Sequence, residues 1–530
     1  MTDARIVTES LGGSPLSRRG RAGELPQWFV TPPSTAAGWQ SYARDVIASV
    51  PPDWLDRVGP AIAARGAAAD RLARSANGKG LVVTTGQQPG LFGGPLMTLA
   101  KALTARALAD VLEQTTGLPV APVFWAATDD ADFAETASVS LALDGGARAL
   151  MLEQRTPAGV PSSRVPMGDD LETLTSLLRD ACGSAPSAHF LERALAAYRP
   201  GATIGDAYVA LLRDVLEPLE IAVLDVSHEC MAGASAGVMR RAASRAPLVT
   251  AAVRRRDAEI EEAGFSPQVE EVPGLSHVFV NVDGTKRRLT QAEAAEFSPA
   301  DGEWLSATVL LRPVLERALL PTAAYVAGPG EFAYFAQVTA VADALELPRP
   351  LVVPRWSTTI IEPRVQRMLD ALGITETDLA DPHAVESRLA RAELPETTAT
   401  ALAALRSDTM TAIDRLRSDD AGLVAPEVVD GVRRDLAHRL DRLERRYVAG
   451  VKRRETELMG RIATARGALY PHGIRQERKL AWLPFLARGG APLIERMLEA
   501  AREHARGVVA AAPSLRGGAA TSEAPSTARV

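Results

Sequence analysis

The run GLVVTTG, residues 80–86, is apolar without alternation, the pattern of a strand buried on both faces. It breaks into a Gly-rich turn, after which Pro95 to Glu113 follows helical spacing. A second run, Ala121 to Ala127 within LPVAPVFWAATDDADFAE, is followed at once by acids. Strand, helix and strand in such close succession predict a βαβ unit and a parallel sheet, hence an α/β fold. The sheet pattern resumes at LEIAVLDVS after the helical stretch GDAYVALLRDVLEPL, and PTAAYVAGPGEFAYFAQVTAVADAL repeats the strand, Gly loop and helix. RPLVVPRWSTTIIEP reads as one further core strand, and DWLDRVGPAIAARGAAADRLA as helical with many alanines. HVFVNVDGTKRRLT alternates apolar and polar residues up to an Asp-Gly pair, a β-hairpin signature.

Past residue 385 the spacing changes. Leu402, Leu405, Ile413 and Leu416, then Val432, Leu436, Leu443, Tyr447, Leu458 and Ile462, follow a helical 3/4 spacing. SDDAGLVAPE separates the two rows, and charges such as RRDLAHRLDRLERR fill the other face. This predicts an antiparallel hairpin of coiled-coil type; a plain helical subdomain fits the same short heptad runs. The expected divisions are an N-terminal arm with helices (1–75), a first core part (76–145), an insertion (146–204), more core (205–260), an insertion carrying the hairpin (261–305), core again (306–380), the coiled coil (381–465), a C-terminal core segment (466–508) and a disordered tail (509–530).

Composition narrows the function classes. With 530 residues, 46% hydrophobic and 23% charged, the chain can bury a large core in more than one domain. A formal net charge of −6 gives no general attraction to nucleic acid or an anionic membrane, although a local basic groove stays open. The 2 cysteines, Cys182 and Cys230, supply no disulfide framework or Cys-rich zinc site, and the 7 histidines contain no HExxH pair, so no dedicated metal site is expected. No uncharged apolar run reaches the ~20 residues of a membrane span, and the N-terminus has no signal core. A cytoplasmic chain with neither nucleic-acid nor membrane partners is the expectation.

Three stretches carry candidate chemistry. The loop Gly86–Gly94 leads into a helix whose N-terminus attracts anions, but it is neither a Walker loop nor GxGxxG, and a glycine turn that merely packs strand on helix fits it too. Gln87 and Gln88 add amide donors and acceptors suited to a zwitterionic or hydroxylated ligand. Asp129, Asp130, Asp132 and Glu135 follow a strand end, where they could hold an amine, hold Mg²⁺ through water, accept a proton, or simply solvate a helix start. Gly328, Pro329 and Gly330 make a second tight turn, with Glu331 and Tyr334 beyond it; Arg312, Arg355 and Ser357 flank this block. Gln476, Glu477 and Arg478 return the chain to the core after the helical hairpin.

TTGQQPGLFGGPLMTLAKALTA, PVFWAATDDADFAE, VLLRPVLERALLPTAAYVAGPGEFAYFAQ, VVPRWSTTIIEP and LYPHGIRQER, in this order from Leu81 to Arg478, resemble the motif blocks of the bacillithiol-biosynthesis cysteine-adding enzymes. The resemblance implies a Rossmann-like core with connecting insertions, a coiled-coil arm that makes a homodimer, and addition of L-cysteine to glucosaminyl-malate. Amide formation in water needs an activated carboxyl group, so ATP, with or without Mg²⁺, is the expected co-substrate. The residues and the resemblance together assign catalysis to Asp130, Asp132 and Glu331. Substrate binding is expected of Gln87, Gln88, Trp125, Asp129, Glu135, Tyr334, Arg355 and Ser357. Nucleotide or anion binding is expected of Gly86, Gly90, Lys101, Gly328, Gly330, Gln476 and Arg478. Ala131 and Ala100 stand where the family pattern has histidines, so an imidazole at either place is not the base here. An amide ligase with another amino acid or acceptor, and a non-catalytic nucleotide- or sugar-binding dimeric scaffold, are the alternatives.

Overall fold

Five short apolar runs build one parallel sheet: β1 (Leu81–Gln87), β2 (Val120–Ala126), β3 (Ala222–Asp225), β4 (Thr322–Ala327) and β5 (Val352–Pro354). The computed structural model describes residues 4–183, 188–298, 304–418 and 423–510. The spatial order is β3–β2–β1–β4–β5, with all four pairings parallel. β1 and β2 pair in register from Leu81↔Val120 to Gln87↔Ala126. The chain leaves β1 toward β3 and then returns to the other side for β4, so the order reverses between β1 and β4. Ligands of open parallel sheets bind beyond the carboxyl ends at such a reversal. Among the described residues no helix is long and apolar enough to cross a membrane.

The chain divides into two compact units. One holds Thr8–Val139, Met151–Thr358 and residues from Ala481 onward; the other holds residues up to Val7, Ser140–Leu150 and Thr359–Leu480. In the sheet unit, helix α1 (Leu96–Thr116) joins β1 to β2 and ends at Gly117 in the left-handed conformation (φ 72°). Helix α2 (Pro329–Ala344) follows β4, and α3 (Leu483–Ala510), kinked at Gly490, packs along α1. Val509 and Ala510, which the sequence reading placed in the tail, belong to α3; the rest of that tail, residues 511–530, lies outside the described residues. The predicted hairpin is present as Leu275–Val282 and Thr285–Thr290, and a third strand, Trp304–Ala307, pairs with the first. Its turn residues Asp283 and Gly284 both have positive φ, 47° and 82°, as a tight two-residue hairpin turn demands.

Two expectations need correction. RPLVVPRWSTTIIEP is not one strand: Val352–Pro354 joins the core sheet, whereas Thr358–Ile361 pairs with Arg5–Thr8 in a separate two-stranded sheet. The ladder ends where Arg355 N–H donates to Ala327 O (2.8 Å) and Trp356 N–H turns to Thr104 Oγ1 (3.1 Å). The long Ala-rich stretch splits into Trp54–Ile62 and Gly66–Asn77, because Ala63 caps the first helix at φ 44°.

In the second unit, Glu396–Arg417 and Pro426–Arg454 form the antiparallel pair. Arg406 pairs with Asp441, Arg417 with Asp430 (2.6 Å) and Arg433 with Asp414 (3.0 Å), which fixes a register in which one helix rises as the other descends. Leu402 packs on a small cluster of Ala390, Leu394, Val448 and Val451. Leu405, Leu416, Val432, Leu443 and Tyr447 stay between 36% and 62% exposed, an apolar row that the pair itself does not cover.

The Gly-rich loop after β1 is built by close packing. Phe92, Gly93 and Gly94 have φ of 55°, 88° and 78°. A Cβ on Gly93 would lie 2.5 Å from the Trp482 ring, and one on Gly90 would lie 2.6 Å from Gly94 Cα. Trp482 Nε1–H donates to Gly93 O (2.9 Å), and Gly93 N–H donates to the Tyr198 hydroxyl (3.1 Å). Gly93→Ala combines a left-handed residue with an overpacked contact. Adding about 1–2 kcal/mol for the first and about 1–3 for the second, it is expected to lower the unfolding free energy by about 2–5 kcal/mol in urea denaturation. A change below about 0.5 kcal/mol, ordinary for a neutral surface site, would show that the loop yields freely.

Candidate functional site

The mouth of the sheet between β1 and β4 is organised by one lysine. Lys101 projects from α1, is 2% exposed, and directs its ammonium at Gly86 O (2.8 Å), Gln87 Oε1 (2.8 Å) and Glu331 Oε2 (2.5 Å). Its three donors are thereby occupied, so it is not placed as a free anion ligand, contrary to the expectation from sequence. Because Lys101 fixes the amide oxygen of Gln87, the half-buried Gln87 presents its NH₂ as the remaining donor. Burial pulls the Lys101 ammonium below its ordinary value against the attraction of Glu331.

Glu331 stands in the first turn of α2. Its Oε1 accepts from the Tyr325 hydroxyl (2.8 Å) and its Oε2 from Gly328 N–H (2.8 Å). Burial works to raise this carboxyl group, but Lys101, the Gly328 N–H and Arg312 hold it below the usual carboxylate range. It is a fixed anion and a poor proton acceptor. The Gly328 N–H is therefore committed as well, while Gly330 is exposed.

Arg312 lies with its guanidinium 4.7 Å from the Tyr325 ring centroid, donates to Glu316 Oε2 (2.8 Å) and reaches the Tyr334 hydroxyl at 3.5 Å. Glu316, which also accepts from Thr84, is fully buried, and burial pushes its carboxyl group up to about 7 against the pull of Arg312. Arg355 is 2% exposed and donates to Trp356 O (2.9 Å); a Cβ on Gly328 would lie 3.7 Å from its Nε. Lys101 is thus paired with Glu331 and Arg312 with Glu316, so these buried charges at the mouth meet as two ion pairs. Sequence reading missed Tyr325 and Glu316. The signal for Glu316 was available: an acid four residues after Arg312 on the apolar helix face RPVLERALL.

The acids begin one strand over, since Ala127 N–H donates to Gln87 O (3.1 Å). Lys286 holds Asp129, bonding its Oδ2 (2.7 Å) and its backbone oxygen (3.1 Å). Asp130 Oδ1 accepts from Asp132 N–H (2.8 Å), and burial raises the Asp130 carboxyl group above its usual value. Asp132 is exposed and caps the short helix Phe133–Thr136 by accepting from Glu135 N–H (3.1 Å); Glu135 is exposed too.

Other expected residues lie elsewhere. Trp125 is in the hydrophobic core, 1% exposed, with its indole N–H unpartnered, so it presents no surface to a substrate. Gly86 and Gly90 are buried in strand and loop packing, where a Cβ would strike Trp125 O (2.9 Å) and Gly94 Cα (2.6 Å) respectively. The Gly93 and Gly94 N–H groups of this loop also bond within the protein, which is packing rather than an open phosphate cradle. Ser357 is 2% exposed and Gln88 is half-buried. Gln476 and Arg478 belong to the other unit. The Gln476 amide bonds Ile360 N–H (2.8 Å), Ile360 O (2.9 Å) and Ala468 O (2.7 Å), a role in tying that unit together, and Arg478 is exposed.

Residues 40–356 match the family model "Bacillithiol biosynthesis BshC, N-terminal Rossmann-like domain", and residues 358–507 match "Bacillithiol biosynthesis BshC, C-terminal coiled-coil domain". The chain belongs to this family. Proteins named "Putative cysteine ligase BshC" are similar over most of their length. That of Koribacter versatilis (strain Ellin345) is 32% identical over 486 residues, covering 87% of this chain and 89% of the relative. That of Heliobacterium modesticaldum (strain ATCC 51547 / Ice1) is 31% identical over 498 residues, again 87% and 89%. That of Solibacter usitatus (strain Ellin6076) is 30% identical over 445 residues, 81% and 84%. The Rossmann-like core and the coiled coil expected from the sequence are thus both features of this BshC family member.

The buried Lys101–Glu331 ion pair yields a stability test. Lys101→Met leaves Glu331 buried beside Tyr325 without its cation, and breaking a buried pair from one side costs about 3–5 kcal/mol. The double variant Lys101→Met/Glu331→Gln is expected to recover at least half of that loss in urea denaturation. Equal losses in both proteins would mean that the lysine acts through packing alone.

Proposed function

We propose that this chain joins L-cysteine to the amine of glucosaminyl-malate through an amide bond, with ATP activating the carboxyl group. The observation that carries this reading is the strand-order reversal at which Gln87 presents its amide NH₂, with a half-buried carboxylate of raised pKa one strand away. The Gln87 NH₂ suits an oxygen of a carboxylate or a phosphate. ATP, when bound, supplies the drive for carboxyl activation. A magnesium ion accompanying it is assigned to the phosphates, because among the described residues no three His, Cys, Asp or Glu are grouped as metal ligands. An ATP-using reaction on a thiol substrate fits the reducing cytoplasm.

The amine must lose a proton as its nitrogen attacks the activated carbonyl carbon and the leaving group departs. Asp130 is assigned that proton, because burial makes it more basic than an ordinary carboxylate while Asp129 is neutralised by Lys286. Asp132 is assigned to shaping the loop and Glu331 to positioning Lys101 and Tyr325. Gln88, Glu135 and Tyr334 are assigned to substrate contact around them.

The test is incubation of the purified protein with L-cysteine, glucosaminyl-malate and ATP, followed by mass spectrometry of the amide product. No product from these three, with product from another amine or amino acid, would replace the substrate assignment. Asp130→Asn is expected to reduce kcat/KM by about 10²-fold or more, the range for a positioned acid–base group. A raised carboxyl pKa means the base form appears only at higher pH, so the acid limb of the wild-type profile should lie above the usual carboxylate range. That limb should vanish in the variant; an unmoved limb would place the base elsewhere.

The exposed apolar row on the arm is assigned to a second copy of this chain. Replacing residues 396–454 with a short Gly/Ser linker should convert a dimer to a monomer in light scattering, and a dimer that persists would exclude the arm.

A further inference from the structure

Beyond the carboxyl ends of β2 and β3 lies a cavity of about 450 Å³. That is within the range of small-molecule sites. Its floor is held firmly. The Thr128 hydroxyl bonds Asp225 and the Ser227 hydroxyl (2.8 Å), and Ser163 N–H donates to Thr128 O (3.0 Å). The hairpin turn after Asn281 and the third strand at Trp304 supply the opposite wall.

The groups on these walls are largely uncommitted. The Arg164 guanidinium makes no ion pair or hydrogen bond with a described residue and lies against the hairpin turn, where a Cβ on Gly284 would be 2.8 Å from its Nη1. His228 Nδ1 accepts from Cys230 N–H (3.3 Å), which leaves Nε2–H as a donor. Glu229 and Asp283 are exposed carboxylates without a described side-chain partner, and Trp304 adds aromatic surface. The cavity therefore joins a planar cationic fork and a ring donor to two acceptor carboxylates. A small molecule bearing a carboxylate at one end and hydroxyls or an ammonium at the other satisfies that set.

Ser162 and Ser163 connect the cavity to the proposed base. Ser162 N–H donates to Asp130 O (2.8 Å), so the wall that carries Ser163 and Arg164 is bonded directly to the loop of Asp130. We propose that this cavity holds the amine acceptor as an amino sugar with a short carboxylate side arm. Arg164 and His228 take the carboxylate, Asp283 and Glu229 take the sugar hydroxyls, and the amine is turned toward Asp130. The proposal rests on the ligase reading for the identity of the acceptor, and on the cavity alone for its place.

Calorimetric titration of the full chain with glucosaminyl-malate, malate and methyl glucosaminide tests it, with hydrogen exchange to locate what binds. Glucosaminyl-malate is expected to bind and to protect the amides of residues 281–285. Arg164→Gln should weaken it by about 10-fold or more, as for one charge-assisted contact, and Asp283→Asn by about 3-fold. Both side chains are exposed, so neither change threatens the fold. Wild-type affinity in both variants, or binding without protection of 281–285, overturns the proposal. If the wild-type protein ignores glucosaminyl-malate, the ligase reading fails. Malate or methyl glucosaminide binding that Arg164→Gln weakens would then keep the cavity as a site, and binding of neither would remove it.

Discussion

The Lys101 ammonium is the constraint on which the site depends. An ammonium taken out of water costs several kcal/mol unless every donor is met and an opposite charge is close. Lys101 meets that demand from three places at once: the backbone end of β1, the Gln87 side chain and the first turn of α2. These are the two sides of the strand-order reversal. One buried charge therefore sets the distance between the two loops that frame the mouth. Glu331, held from the other side by Tyr325 and Gly328 N–H, cannot swing away to act on a substrate without abandoning that charge.

Electrostatic division follows from this arrangement. On one side, the buried cations Lys101 and Arg312 are matched by Glu331 and Glu316. What remains there for a ligand is the Gln87 NH₂, a neutral donor at the end of β1. On the other side, Lys286 neutralises Asp129 and leaves Asp130 as the carboxyl group whose affinity for a proton is raised. Two environments a strand apart thus favour different tasks, donating a hydrogen bond and accepting a proton.

What could be read from sequence was set by local pattern. β1, β2 and β4 are apolar runs with Gly or acidic punctuation, and their parallel pairing follows from the helices between them. The loop glycines looked like a phosphate cradle because the sequence does not show that Gly93 must admit Trp482 from a distant part of the chain. Lys101 looked like a free cation for the same reason: its acceptors are a backbone oxygen, a side-chain amide oxygen and a carboxylate brought together by folding. The break after Pro354 was hidden because VVPRWSTTII is apolar throughout, and only the bonds of Arg355 and Trp356 to Ala327 and Thr104 end the ladder. Asp130 and Gln87 were legible as site candidates because they lie at strand ends, where geometry leaves side chains free to meet a ligand.

The two alanines in place of family histidines now have a setting. Ala100 is fully buried on α1 beside Lys101, and Ala131 is half-buried between Asp130 and Asp132. An imidazole at Ala131 would share the acidic loop and favour its charged form there, giving a base that titrates near neutrality. Under the proposed reading the proton passes instead to a carboxylate, which is a weaker base but is fully ionised over a wider pH range above its pKa. Burial of Asp130 offsets part of that weakness by raising its proton affinity. The loop bond from Ser162 N–H to Asp130 O matters for the same reason: a weaker base depends more on being held at the reacting proton than on its intrinsic affinity for it.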